Sequence, residues 1–250
     1  MSNSLSCISV VIIAKNSESI IKRCLNSLID FREVILYLND CDDKTKVVAS
    51  SYQNVKIFEG SFTGFANTKK KAISYASNDW ILSIDSDEVL SASLINSLKQ
   101  VSLNTNTVYS FQRISYYKKK KIKFSGLYNE QVVRLFNKQT TNFDNSLVHE
   151  KVNRTDLSVV VLNGYIDHFT YLSISDLIQK TDSYSTLYSN QHTKKSSPLI
   201  AIVKSLFFFI KTYIFRLGFL DGYVGFLIAY SGSTGVFYKY LKLYEKNDNL

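Results

Sequence analysis

The chain has 250 residues, 45% of them hydrophobic, and a net charge of +9. That apolar content is enough for a substantial core. The positive balance points to an anionic partner: nucleic acid, a membrane leaflet or a phosphorylated substrate. The basic residues are dispersed, with no basic helix or zinc-finger spacing, which argues against nucleic acid. The three cysteines, Cys7, Cys24 and Cys41, lack disulfide or metal-binding spacing, so a reducing compartment is expected. The polar Met1–Ser6 segment runs straight into a strand-like stretch without signal-peptide character, and a cytosolic protein is the expectation.

Strand and helix signals alternate from Ile8 to Ile84. Ile8–Ala14 is a β-branched run of the kind buried on both faces of a sheet. Asn16 or Ser17 is placed to cap a helix carrying Ile20, Ile21, Cys24, Leu25 and Leu28 at helical spacing. Val34–Leu38 reads as a second strand, and the polar Asn39–Thr45 segment turns the chain into another helix. Val55–Phe58 is a third strand, Thr68–Ala76 a helix and Trp80–Ile84 a fourth strand. This alternation predicts right-handed crossovers and a mainly parallel sheet flanked by helices. Such sheets bind ligands beyond the carboxyl ends of their strands. Lys15–Glu18, Asn39–Asp40 and Asp85–Glu88 lie at those ends and are candidates for one shared site. A dehydrogenase or P-loop NTPase is disfavoured, because neither glycine-rich fingerprint occurs.

Beyond Asn104, strands are expected at Val108–Tyr117, Gln131–Phe136 and Ser158–Leu162, extending the sheet as a mixed one on the acceptor side. The run Lys118–Lys121 reads as a solvated turn or as an attraction for phosphates. Composition changes near the carboxyl terminus and divides the chain into residues 1–195 and a helical extension, 196–250. Lys204 and Lys211 bracket the apolar Leu206–Ile210. The pattern suits either a helix in a membrane interface or a tail packed on the core. The charges argue against a full span, and Gly222–Tyr238 comes closest to one.

Asp85-Ser86-Asp87 carries the most chemistry. Two carboxylates directly after a buried strand repel one another and are costly to bury, a penalty that a divalent cation removes. A capping turn would use the same residues. Glu150 could serve as a general base or as an ion partner of Lys151 or Arg154. His168 reads equally as a ligand or as a hydrogen-bonded core residue.

Several segments together resemble glycosyltransferase family 2: Ile8–Asn16, Gly64–Lys69, Asn78–Glu88, Leu147–Glu150, the His168 region, Tyr184–Thr186 and Arg216–Gly222. Within it the chain is most similar to the lipopolysaccharide-core β-1,4-glucosyltransferase group. The resemblance implies a GT-A fold, a Rossmann-like mixed sheet flanked by helices. It also implies a UDP-sugar donor, glucose foremost, and inversion at the anomeric carbon of the sugar passed to a surface glycan or glycolipid. By the same resemblance Asp85 contacts the ribose or the metal, and Asp87 ligates Mg²⁺ or Mn²⁺. Ala14, Asn16 and Glu18 lie on the first donor turn, Lys69 is a base or phosphate contact, Glu150 is the general base and His168 adds a metal or phosphate contact. Where relatives carry an Asp that reads the nucleotide base this chain has Leu38, with Asn39 or Asp40 as substitutes; Lys70 replaces a commoner Asn. Work at the inner face of the cytoplasmic membrane, against anionic lipid, is the expected setting; a non-catalytic nucleotide-sugar-binding relative is the alternative.

Overall fold

The computed structural model describes residues 4–128, 130–144 and 151–248. Strands β1 (Ile8–Ala14) and β2 (Glu33–Asn39) are buried at every position, as strands covered on both faces must be. β1 pairs in parallel with β2 and with β4 (Trp80–Asp85), and β2 pairs in parallel with β3 (Val55–Gly60). Helices α1 (Ile21–Asn26), α2 (Thr45–Ala49) and α3 (Phe65–Ile73) make the crossovers. The pleat of β1 divides the core. Val10, Ile12 and Ala14 pack with Cys24, Leu25 and Leu94, while Val11 and Ile13 pack with Ala72 and Ile73 of α3.

After β4 come β5 (Glu88–Leu90), α4 (Ala92–Gln100), β6 (Thr107–Tyr117), β7 (Lys120–Lys121), β8 (Glu130–Asn137) and β9 (Ser158–Tyr171). The sheet order is β3-β2-β1-β4-β8-β6-β9-β5, with β7 paired to β6. β8 is antiparallel to both β4 and β6, and β5 is antiparallel to β9, so the added half makes the sheet mixed as expected. β9 is far longer than the five-residue strand read from sequence, at 14 residues. It passes close over α4 at Gly164, whose φ of +111° and contact with the Leu94 backbone leave no room for a Cβ.

Two local expectations need correcting. Helix α1 starts at Ile21 without a side-chain cap: the Ser17 hydroxyl lies 2.9 Å from that of Ser86 and donates to Lys15 O at 3.2 Å. Among the described residues, the apolar helix with the length and composition of a span is Pro198–Phe215, rather than Gly222–Tyr238. It has a mean hydropathy of 1.7, and only 11% of it is buried.

The chain divides into two compact units, residues 1–113 with 130–168 and residues 114–129 with 169–250; the cut at 168 falls upstream of the 195/196 boundary read from composition. The second unit contains α5 (Ile174–Gln191), α6 (Pro198–Ile210), a π-helical turn (Lys211–Phe215), a 3-10 turn (Gly218–Asp221) and α7 (Tyr223–Asp248). Ser197 accepts the Ile200 N–H at 3.2 Å and Pro198 opens α6, where its missing donor costs nothing. Helices α6 and α7 run antiparallel, tied by Ser196 Oγ to Tyr240 O at 2.7 Å and by Ser233 Oγ to Ser205 O at 2.8 Å. Lys242 of α7 reaches α5, donating to Asp182 Oδ1 at 2.7 Å, Ser185 Oγ at 2.9 Å and Thr186 Oγ1 at 2.6 Å.

Candidate active site

β4 leaves the core at Ile84 and ends on Asp85; Ser86 and Asp87 then turn the chain into β5. Asp85 sits between two cations. Lys69 Nζ of α3 is 3.0 Å from Oδ1, and Arg134 Nη2 of β8 is 2.6 Å from Oδ2. Both cationic side chains are buried, and Lys69 also lies 5.3 Å over the Phe143 ring. Arg134 Nη2 bonds Glu88 Oε1 at 2.7 Å as well. Glu88 is fully buried, takes the Asp85 N–H at 3.0 Å, and has Arg113 Nη1 at 3.5 Å. Arg113 in turn pairs with Glu130 at 2.6 Å. Charges this deep persist only when paired and hydrogen-bonded. Burial alone would raise the Asp85 pKa, but the Arg134 and Lys69 charges outweigh it and hold the carboxyl well below the usual carboxylate range. Burial likewise opposes the charge on Arg134, and Asp85 and Glu88 reverse that, pushing its pKa up.

Asp87 faces a different partner. His168 Nε2 is 3.4 Å from Asp87 Oδ2, and the register that pairs Glu88 with His168 across β5 and β9 brings the ring to the turn. The Asp87 carboxylate is an oxygen donor suited to Mg²⁺ or Mn²⁺, and the imidazole beside it adds a softer nitrogen donor. Asp85 meets a cation at each oxygen, and each oxygen keeps a further lone pair for a hydroxyl or a metal. Among the described residues no three His, Cys, Asp or Glu side chains gather around one point.

The Ser17–Ser86 contact joins this turn to the end of β1. There the two turns after β1 and β2 are laced together. Asn16 Oδ1 accepts the Asp42 N–H at 3.0 Å, Glu18 Oε2 accepts the Lys44 N–H at 3.2 Å, and Glu18 N–H donates to Asp43 Oδ2 at 2.9 Å. Cys41 Sγ lies 3.3 Å from both the Asn16 N and the Ala14 O. Asp40 Oδ2 takes the Phe62 N–H at 3.1 Å, and Asn39 is buried. Asn16 and Asp40 have φ of 47° and 49°, the left-handed region that Asn and Asp tolerate best. Their identities thus have a backbone reason independent of any ligand. Leu38 is buried beside Ala14 in the same parallel register.

The structure therefore gathers Lys69, Asp85, Asp87 and His168 at one turn, and Ala14, Asn16, Glu18, Asn39 and Asp40 at the neighbouring one. Glu150 lies outside the described residues. Sequence reading missed Arg134 and Arg113, and gave Glu88 no role beyond its place in the Asp85–Glu88 turn. The signal was present for Arg134, since a lone arginine inside the apolar stretch Val132–Phe136 needs a buried acid.

A four-stranded parallel half-sheet continued by antiparallel strands, with paired carboxylates at the end of β4 beside the β1 turn, defines a fold of the GT-A type. Residues 9–155 match the family model Glycosyl transferase family 2, and the chain belongs to that family. It is 28% identical to a glycosyltransferase of Rickettsia typhi, over 95% of this chain and 87% of that one. It is 25% identical to the lipopolysaccharide core biosynthesis glycosyltransferase LpsC of Rhizobium meliloti, over 96% and 93%. Among solved structures, a mannosyltransferase of Pyrobaculum calidifontis in complex with GDP-Man and Mn²⁺ has the same fold. Its TM-score is 0.50 at 10% identity, over 93% of this chain and 76% of that one.

Proposed function

We propose that this transferase moves a hexose, glucose foremost, from a UDP-sugar to a lipopolysaccharide, lipooligosaccharide or other surface-glycan acceptor, inverting the anomeric centre. The observation that carries the reading is the Asp85-Ser86-Asp87 turn at the carboxyl end of β4, held by Lys69 and Arg134 and joined through Ser17 to the end of β1. The sugar-acceptor class draws support from the name of the Rhizobium relative. A divalent ion draws support from the mannosyltransferase seen with Mn²⁺.

Asp87 and His168 would hold Mg²⁺ or Mn²⁺, which when bound offsets the negative charge on a diphosphate leaving group. Asp85, kept ionised by Arg134 and Lys69, retains lone pairs for a ribose hydroxyl. Lys69 stands at the phosphate side of the same carboxylate. Ala14, Asn16 and Glu18 rim the donor. With Leu38 in the core, Asn39 or Asp40 is left to read the base. Glu150, assigned by resemblance, takes the acceptor hydroxyl proton as the new C–O bond forms and the bond to the diphosphate breaks on the opposite side, which inverts the carbon. Residues 1–195 carry catalysis, and the reaction runs on the cytoplasmic side at a membrane surface, with residues 196–250 providing attachment.

Calorimetry with UDP-glucose, UDP-galactose, UDP-GlcNAc and GDP-mannose, with and without Mn²⁺, tests the proposal on wild type and Asp87→Ala. Metal-dependent binding of one UDP-sugar, lost in the variant, is expected. Failure of every donor to bind folded protein would overturn it.

A further inference from the structure

The helical unit presents an apolar surface that sugar transfer does not use. On α6, Leu199, Ile202, Val203, Leu206, Phe207 and Ile210 are all exposed, between 38% and 70%. Their steps of three and four residues make one continuous helical stripe. The other face of α6 is the packed one: Ala201 is buried, and Ser205 and Phe208 meet Ser233 and Gly232 of α7. The exposed surface continues past the helix through Ile214, Phe215 and Leu220 to Tyr223 and Phe226.

This tip is a built feature rather than a frayed end. The buried Asp221 carboxylate accepts the Phe124 N–H at 2.9 Å and the Lys123 N–H at 3.2 Å, and Lys120 Nζ donates to Asp221 O at 2.9 Å. Ser125 donates its N–H to Arg216 O at 3.0 Å. These bonds collect the Lys118–Lys121 run, Lys123 and Arg216 at the apolar turn. From Ser183 to Tyr244 the chain carries seven lysines and arginines, and the one acid among them is that buried Asp221.

We propose that α6 and the turn after it form a monotopic membrane-insertion surface. The helix lies in the plane of an anionic bilayer, its stripe and tip enter the acyl region of one leaflet, and the flanking cations meet lipid phosphates. Charge and topology oppose a span. The 18 residues of Pro198–Phe215 reach about 27 Å, against about 30 Å of hydrocarbon, but Lys204 and Lys211 lie within them, and the chain then turns back into α7. Charge opposes a second copy of the chain as the occupant, since this segment offers a like-charged partner no exposed acid to pair with. The inference deepens the membrane attachment of the proposed function, on which it rests, and holds whichever sugar is moved.

Flotation of the full chain with phosphatidylcholine vesicles, with and without phosphatidylglycerol, tests it alongside a Phe207→Glu, Phe215→Glu double variant. Both positions are exposed, so the variant keeps its fold, as circular dichroism will verify. Wild type is expected to float with the anionic vesicles, and the variant to bind them at least about tenfold more weakly. No flotation of wild type, equal flotation with uncharged vesicles, or unchanged binding by the variant would each overturn the proposal. So would a wild-type dimer in sedimentation velocity that the double substitution dissolves without any vesicle binding. For depth, Phe207→Trp is read with lipids brominated at shallow or deep acyl positions, after subtraction of the Trp80 signal. Strongest quenching from shallow bromines is expected, and strongest quenching at the bilayer centre would overturn the in-plane placement.

Discussion

The sheet unit and the helical unit depart from an ordinary protein interior in opposite ways. In the sheet unit, strands such as β1 are covered at every position, yet four charged side chains, Lys69, Glu88, Arg113 and Arg134, gather in or beside that interior around Asp85. In the helical unit buried charge is confined, among the described residues, to Asp221, and a full stripe of α6 is apolar and uncovered. Buried charge is tolerated only where it holds something in a fixed electrostatic state, and exposed apolar surface only where something will cover it. On the proposed function and membrane surface, the first unit serves a charged ligand and the second an apolar partner. Substitutions in each should therefore fail differently.

The largest effect is expected from Arg134→Met. Removing the guanidinium leaves Asp85 and Glu88 facing each other with too few cations, and breaking such a buried pair costs about 3–5 kcal/mol. Phe207→Glu, at an exposed position of α6, should stay within about 0.5 kcal/mol of wild type. Urea denaturation of both variants checks the contrast. Equal losses in the two would erase the distinction between the units. Next in size is Gly225→Ala. A Cβ there would run into the backbone oxygen of Gly218, so α7 would have to shift off the 3-10 turn, at about 1–3 kcal/mol. A neutral result would show that the turn is loose, and that its exposed residues are not held in place for a partner.

How far the sequence foretold this contrast follows from which interactions are local. The unbroken apolar runs of β1 and β2 announced strands covered on both faces, and the alternation with helices announced the parallel half of the sheet. The Asp85-Ser86-Asp87 turn was legible because its carboxylates are adjacent in the chain. Its cations were not, since Arg134 is 49 positions from Asp85 and only the antiparallel return of β8 brings it there. Ser17 reads as a helix cap for the same reason: the partner of its hydroxyl, Ser86, arrives from 69 residues away. On α6 the stripe was present in the spacing, but nothing local says which face α7 will cover. The longest apolar window was accordingly sought in α7, where alternating glycines and serines resemble a span less than Pro198–Phe215 does.

Acid should separate the units further. Glu33 in the sheet unit would have its pKa raised by burial, but hydrogen bonds from Lys56, Ser9 and Ser77 outweigh that and lower it from 4.5 to about 2. Lys56 lies 2.7 Å from Oε1, and Ser77 donates both its N–H at 2.8 Å and its hydroxyl at 2.7 Å. A folded-state pKa below the unfolded one means stabilisation that is full above pH 4.5 and disappears as the pH falls toward 2. Thermal melts across that window should show a smaller acid-induced drop for Glu33→Gln than for wild type. Parallel curves would mean that Glu33 keeps the same pKa when the chain unfolds.

The smallest effect is expected where the helical unit most resembles the sheet unit. Lys242 and Asp182 form an ion pair at 2.7 Å, as close as Arg134 and Glu88, and two hydroxyls help to hold the ammonium. Distance alone would rank the two contacts together. Exposure separates them: the Asp182 side chain is 71% exposed and that of Glu88 not at all. Water around Asp182 screens the attraction and solvates the carboxylate once its partner is gone, so Lys242→Met should cost no more than about 1 kcal/mol. Urea midpoints of Lys242→Met and Arg134→Met, taken side by side, isolate burial as the variable at nearly fixed geometry. A Lys242 loss as large as that of Arg134 would mean that α7 depends on this one lysine for its seat on α5, and that the helical unit too is organised around a charge.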